Sequence, residues 1–249
     1  MTDPRRVALL NPNSNAATTA AMLRLARAAA PAGLVVVGFT ADRTPPMLTR
    51  PDDLVAAAEW IAAMLPDLAA AGFSAVLVAA FGDPGVERHR ATSPLPLVGI
   101  AEAGMTLAAR GGRRFAVVTT TPELAGPIAA RAAALGFADR LTSVRVTAGD
   151  PTTLIEDEAR MGDALAEIAA EAVTRDGAEA VLIGGGPLGP VAAAVARGVA
   201  VPVIEPVAAG IVLIAERLGL APSGPARPGG DPRRGARGTE GGTSGGEGR

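Results

Sequence analysis

Few groups in this chain can move a proton. It holds no cysteine and no tyrosine, its one histidine is His89, and all 23 of its basic residues are arginine. Thiol nucleophiles, thiolate metal sites, amine nucleophiles, a pyridoxal-phosphate Schiff base and the lysine of a phosphate-binding loop are therefore excluded. What remains is carboxylates, one imidazole, and hydroxyls that need a neighbour to activate them. Asp83 lies in Phe81-Gly82-Asp83-Pro84-Gly85, where Asp before Pro also favours a turn. His89 lies in Glu87-Arg88-His89-Arg90, a charged run suited to solvated surface. Glu102 opens a helix, where the dipole favours a carboxylate without any catalytic role. Glu205, between Ile204 and Pro206 at a strand end, is the carboxylate expected to point into a cleft. No two of these form an opposed acid–base pair by spacing alone.

The elements that must position them follow one device used twice. Ala75-Val76-Leu77-Val78-Ala79-Ala80 and Ala180-Val181-Leu182-Ile183-Gly184-Gly185 are uncharged runs that break into Gly/Pro turns. Each reads as a buried parallel strand followed by a loop, which is where α/β proteins place ligands. Ala80 and Gly185 occupy matching positions in the two loops, so two related halves are an expectation of the pattern. Further strands are expected at Arg6 to Leu10, Leu34 to Phe39, Leu97 to Ile100, Phe115 to Thr119, Leu141 to Val146 and Val201 to Ile204. Helices are expected at Ala16 to Ala30, Asp52 to Ala71, Glu102 to Arg110, Pro122 to Leu135, Ile155 to Thr174, Pro190 to Arg197 and Val207 to Leu218. Strand–helix alternation of this kind means α/β architecture, with parallel sheets flanked by helices.

At 249 residues and 49% hydrophobic content the chain can bury a sizeable core. A net charge of −2 and 2% aromatics leave neither the basic footprint nor the stacking surfaces of a nucleic-acid binder. The apolar run Val7 to Leu10 is too short for a signal-peptide core, so a cytoplasmic location is expected. Glycines and prolines interrupt the uncharged stretch Ala180 to Ala196, which argues against a membrane span. Residues 222–249 are rich in Gly, Pro and Arg without apolar periodicity, and are expected to form a disordered tail.

Asn11-Pro12-Asn13-Ser14 follows the first strand and precedes a helix, where exposed amides could meet a carboxylate. Together with Ala80-Phe81-Gly82-Asp83-Pro84-Gly85, Val98-Gly99-Ile100-Ala101-Glu102-Ala103, Arg114-Phe115-Ala116-Val117-Val118-Thr119-Thr120, the Gly184 loop and Pro202-Val203-Ile204-Glu205-Pro206-Val207, it carries a resemblance. In the order and spacing of these motifs the chain resembles the aspartate/glutamate/hydantoin racemase superfamily, and within it the hydantoin and allantoin racemase branch, over residues 5 to 220.

The resemblance implies two similar, pseudo-symmetric α/β domains, 1–97 plus 206–221 and 98–205, with an active-site cleft between them and no cofactor or metal. It implies a small carboxylate or hydantoin-like ligand, reaction at the carbon α to a carbonyl, and a homo-oligomer as a common family state. It suggests that Asn11, Ser14, Phe81, Gly82, Thr119, Thr120, Gly184 and Gly186 hold the ligand. In the family one cysteine precedes Phe-Gly-Asp-Pro-Gly and a second lies in the later glycine loop, so that one thiolate removes the α proton and the opposed thiol returns one. Here those positions are Ala80 and Gly185, which closes the two-thiol route. Asp83, His89 and Glu205 stand as substitutes for proton transfer. Other readings are decarboxylation, elimination or ring closure on the same scaffold, or binding of a small acid without catalysis.

Overall fold

In the computed structural model, residues 3–48 and 51–220 are described. The first sheet contains β1 (Arg5–Asn11), β2 (Leu34–Thr40), β3 (Ala75–Val78) and β4 (Leu97–Gly99), all parallel in the order β2-β1-β3-β4. The second contains β5 (Phe115–Thr119), β6 (Leu141–Val146), β7 (Ala180–Ile183) and β8 (Val203–Ile204), in the equivalent order β6-β5-β7-β8. Every residue of β3, β5 and β7 is buried, which explains why these strands carry no charge: helices cover both faces.

The strand ends match as well as the strand order. Leu10 pairs with Val78, and beyond them the Ala79 amide donates to the Leu10 carbonyl at 2.8 Å. Val118 pairs with Ile183, and the Gly184 amide donates to the Val118 carbonyl at 2.8 Å. The Ala80 and Gly185 loops therefore leave their sheets in the same way.

The helices are α1 (Ala16–Ala29), α2 (Pro51–Ala70), α3 (Val86–His89), α4 (Ile100–Ala108), α5 (Ala125–Ala134), α6 (Pro151–Glu156), α7 (Glu158–Thr174), α8 (Ala192–Arg197) and α9 (Pro206–Arg217). Two of them change sides. Helix α4 follows the first sheet, yet Met105 and Ala108 pack with Phe115, Val117 and Leu182 of the second. Helix α9 follows the second sheet, yet Val207, Ile211 and Ile214 pack with Val7, Leu9 and Leu77 of the first. Each crossing helix approaches its sheet through a glycine: a Cβ on Gly104 would fall 2.5 Å from Leu182, and one on Gly210 would fall 2.4 Å from Leu77. The reciprocal exchange locks the halves together around a close-packed seam.

Several expected boundaries shift for identifiable reasons. The division expected at Leu97/Val98 falls inside β4, whose pairing keeps Val98 and Gly99 in the first sheet. The helix expected from Ile155 to Thr174 is broken at Asp157, whose side chain accepts from the Arg160 amide and caps α7. Pro122 and Pro190 lie in 3₁₀ turns that precede α5 and α8 rather than within α-helix. The charged run around His89 contains the one-turn α3, and the expected tail lies outside the described residues. Among the described residues no helix is long and apolar enough to cross a membrane.

Candidate ligand cleft

The loops after β1, β3, β5 and β7 converge on one cleft at the carboxyl ends of both sheets. Ala79, Ala80 and Phe81 line it from the first half, and Gly184, Gly185 and Gly186 from the second. Thr119, Thr120 and Thr121 extend β5 into it, and Asn13 enters from the loop after β1. Met47, Leu48, Leu54, Leu124 and Pro151 form its apolar rim. The cavity volume is about 100 Å³. At roughly 10–15 Å³ per water on this measure, that suits one small molecule.

The β1 loop is built by Asn11, which is fully buried. Its amide nitrogen donates to Asn13 Oδ1 at 2.9 Å, Asn15 O at 3.2 Å and Thr19 Oγ1 at 2.9 Å. Asn11 thus shapes the turn from within, while Asn13 is its neighbour at the cleft. The Ser14 amide donates to Pro45 O at 3.2 Å, and Thr44 Oγ1 donates to Pro12 O at 2.6 Å. These bonds strap the segment carrying Met47 and Leu48 onto the cleft edge. Ser14 is absent from the lining, and so is Gly82, whose φ of +121° serves the turn. Thr119 is buried and its hydroxyl donates to the Gly184 carbonyl at 3.2 Å, tying two lining loops together.

The three glycines differ in what they do. A Cβ on Gly184 would fall 2.7 Å from Val117 Cγ1 and 3.1 Å from the Val118 carbonyl, and one on Gly186 would fall 2.5 Å from Met22 Sδ. Gly185 has a φ of 172°, ordinary extended backbone, and a Cβ there would meet only Leu188, at 3.3 Å.

None of the carboxylates or the imidazole expected as proton-transfer groups lines this cleft. Asp83 is buried, at a φ of +54°, and accepts from the amides of Ala101 and Glu102 at 2.8 Å each. It also accepts from Arg131 Nε and Nη2 at 3.2 and 3.1 Å. Burial pushes its carboxyl up to about 6, against the pull of Arg131 and the two amides. Its carboxylate is a cap and an ion-pair partner. His89 is half-buried on α3, outside the lining.

Glu102 pairs with Arg90 at 2.6 Å and Arg217 at 2.7 Å. Burial raises its carboxyl, but the two guanidinium groups outweigh that and hold it below the usual range.

Glu205 was expected in the cleft, and the structure corrects this. Its oxygens accept from the Val207 and Ala208 amides at 2.9 and 2.6 Å, capping α9. It borders a separate groove with Leu25, Ala28 and Gly189, and burial raises its carboxyl despite the two amides. The short path from a strand end into Pro206 folds the side chain back over its own helix terminus.

Asn13 belongs to the loop motif legible in the sequence but not to the expected ligand residues, and the rim residues Met47, Leu48, Leu54, Leu124 and Pro151 were not expected at all. A signal for one of these groups is present: Pro45-Pro46-Met47-Leu48 puts two large apolar residues in a loop with no strand or helix to bury them.

Two like parallel sheets with a cleft at their strand ends define a two-lobed α/β protein. The chain belongs to the Asp/Glu/hydantoin racemase family, whose sequence profile matches residues 7–214. It is similar to the hydantoin racemase of Rhizobium meliloti, 29% identical over 211 residues that cover 85% of this chain and 88% of that one. Among solved structures it is similar to the allantoin racemase from Klebsiella pneumoniae, with a TM-score of 0.80 at 28% identity, covering 88% of this chain and 90% of that one. The allantoin racemase from Pseudomonas fluorescens gives a TM-score of 0.77 at 30% identity, covering 88% and 93%.

Proposed function

We propose that this protein is a member of the racemase family that binds a small, uncharged hydantoin- or ureide-like molecule and does not racemise it. One observation carries the reading: the described residues lining the cleft include no acid, no histidine and no arginine. Proton abstraction α to a carbonyl needs a base within hydrogen-bond reach. Ala80 and Gly185, at equivalent places in the two loops, offer neither a base nor an acid. Asp83 and Glu205 are committed to helix termini.

The same lining bears on the ligand. A dicarboxylate would find no cation among the described lining residues, so its two charges would be met by neutral donors alone. A neutral cyclic ureide is satisfied by threonine hydroxyls, the Asn13 amide and backbone groups of the glycine loop, while Phe81 and the leucine rim receive an apolar substituent.

Thermal denaturation of the purified chain with hydantoins, allantoin, aspartate, glutamate and arylmalonates tests this. A ligand at one hundred times its Kd adds about 2.7 kcal/mol of stability. The expected result is a higher Tm with hydantoins, none with the amino acids, and no product. Turnover of any compound in the panel, or no shift with any of them, contradicts it.

A further inference from the structure

We infer that the ligand of this cleft carries a fully substituted tetrahedral carbon, with a group on each face of its ring, seated between Ala80 and Gly185. The inference rests on the small-molecule binding proposed above and adds the shape of the molecule bound.

It starts from the glycine loop. Gly184 is a packing requirement, since any side chain there meets Val117 and backbone, and at Gly186 a side chain would have to displace Met22. Gly185 is under a milder demand. Its backbone is extended, and a Cβ there would meet only the Leu188 side chain, tightly at 3.3 Å, which a shift of a few tenths of an ångström relieves. The missing side chain at 185 therefore serves the cleft, where it leaves volume. Ala80 does the same from the other half: it lines the cleft from the matching loop, and its side chain ends at Cβ. The two loops leave different sheets through equivalent amide–carbonyl bonds, and both line the cleft. The space they leave is thus provided from both sides.

The lining chemistry agrees. A carbon bearing hydrogen on one face uses half of this space and presents a proton that no described lining residue can take. A carbon bearing two alkyl groups fills both sides and has no proton to exchange. Phe81, Leu188 and the methyl group of Ala80 give those groups apolar contact. The ligand class is a 5,5-dialkylhydantoin or an open-chain ureide of an α,α-dialkyl amino acid.

Calorimetric titration of the full-length chain with 5-methylhydantoin and 5,5-dimethylhydantoin tests this. A second buried methyl should make the disubstituted compound about fourfold the tighter binder. In Ala80→Cys and in Gly185→Cys, each side chain enlarged into the space of one substituent, its affinity should fall about tenfold while that of 5-methylhydantoin holds. Ala80→Ser provides a smaller polar change at the same place should a thiol variant fold poorly, and the ratio in the unmodified protein tests the inference without any variant. Tighter binding of 5-methylhydantoin by the unmodified chain, or equal losses for both compounds in the variants, overturns the inference and leaves the binding reading standing. Binding of neither compound overturns both.

Discussion

Asp83 and Glu205 hold equivalent posts in the two halves of the molecule. Each accepts two backbone amides at the start of a helix that crosses to the opposite sheet: Ala101 and Glu102 of α4 for Asp83, Val207 and Ala208 of α9 for Glu205. Two of the three residues carried from the sequence as candidates for proton transfer are thus the two that anchor the helix exchange. They differ in one respect. Asp83 also receives Arg131 from α5, with its side chain fully buried, whereas Glu205 has no ion-pair partner among the described residues.

That difference sets the first prediction. Asp83→Ala leaves the largely buried Arg131 guanidinium with only the exposed Glu87 as partner, at 3.1 Å, and uncaps α4, so it should cost about 3 kcal/mol. Glu205→Ala removes only a cap, and should cost about 1–2 kcal/mol. Urea denaturation followed by circular dichroism measures both, and the larger loss must fall at position 83.

The pH dependence follows from the same residue. Burial raises the Asp83 carboxyl from its ordinary 3.8 to about 6 in the folded chain. Between those values the folded state holds a proton that the unfolded state has released, so stability falls as pH rises through the window and levels off above it. Glu205, also raised by burial, acts with the same sign. Asp176 acts oppositely at lower pH: hydrogen bonds from Arg145 and Ser143 lower it to about 2, and its contribution is lost as pH falls from 3.8 towards that value. The urea midpoint should rise on going from pH 7.5 to pH 5, and Asp83→Asn should shrink that rise.

The seam glycines give a third test. Gly104→Ala and Gly210→Ala place a methyl 2.5 and 2.4 Å from Leu182 and Leu77. Overpacking should cost about 1–3 kcal/mol in each case. Gly162→Ala, inside α7 with only ordinary contacts to Ala194 and Val191 at 3.5 and 3.6 Å, should instead stabilise the chain, by about 0.5–1 kcal/mol. Thermal denaturation of the three variants reads the sign directly.

What the sequence made legible, and what it hid, divides along local and non-local physics. The strand runs Phe115–Thr119 and Ala180–Ile183 were readable to the residue because full burial demands near-continuous apolar sequence, and the edge strand Leu141–Val146, half-buried throughout, was readable from its alternating β-branched residues. The paired loops at Ala80 and Gly185 were readable for the same reason, since each ends such a run. The role of Asp83 was hidden because its partners, Ala101, Glu102 and Arg131, lie far along the chain, and only the fold brings them together. Glu205 misled by position: a strand end does point towards the cleft face, but the very next turn starts a helix whose amides are closer. The return of α9 to the first sheet was implied only by the resemblance, which joins 206–221 to the first domain; the crossing of α4 left Gly104 as its one trace, and a lone glycine in an Ala-rich helix does not name its neighbour.

The central claim is a racemase-family cleft without proton-transfer groups, and proton NMR in deuterium oxide tests it most directly. Wild type and the Ala80→Cys/Gly185→Cys double variant, kept reduced, are each incubated with a 5-monosubstituted hydantoin small enough to be bound. The C5 proton signal should persist at the spontaneous rate with wild type and fade faster with the double variant, whose thiols restore a base and an acid to the two loops. Exchange accelerated by wild type would contradict the account, since it would show a base working in a cleft whose described lining provides none.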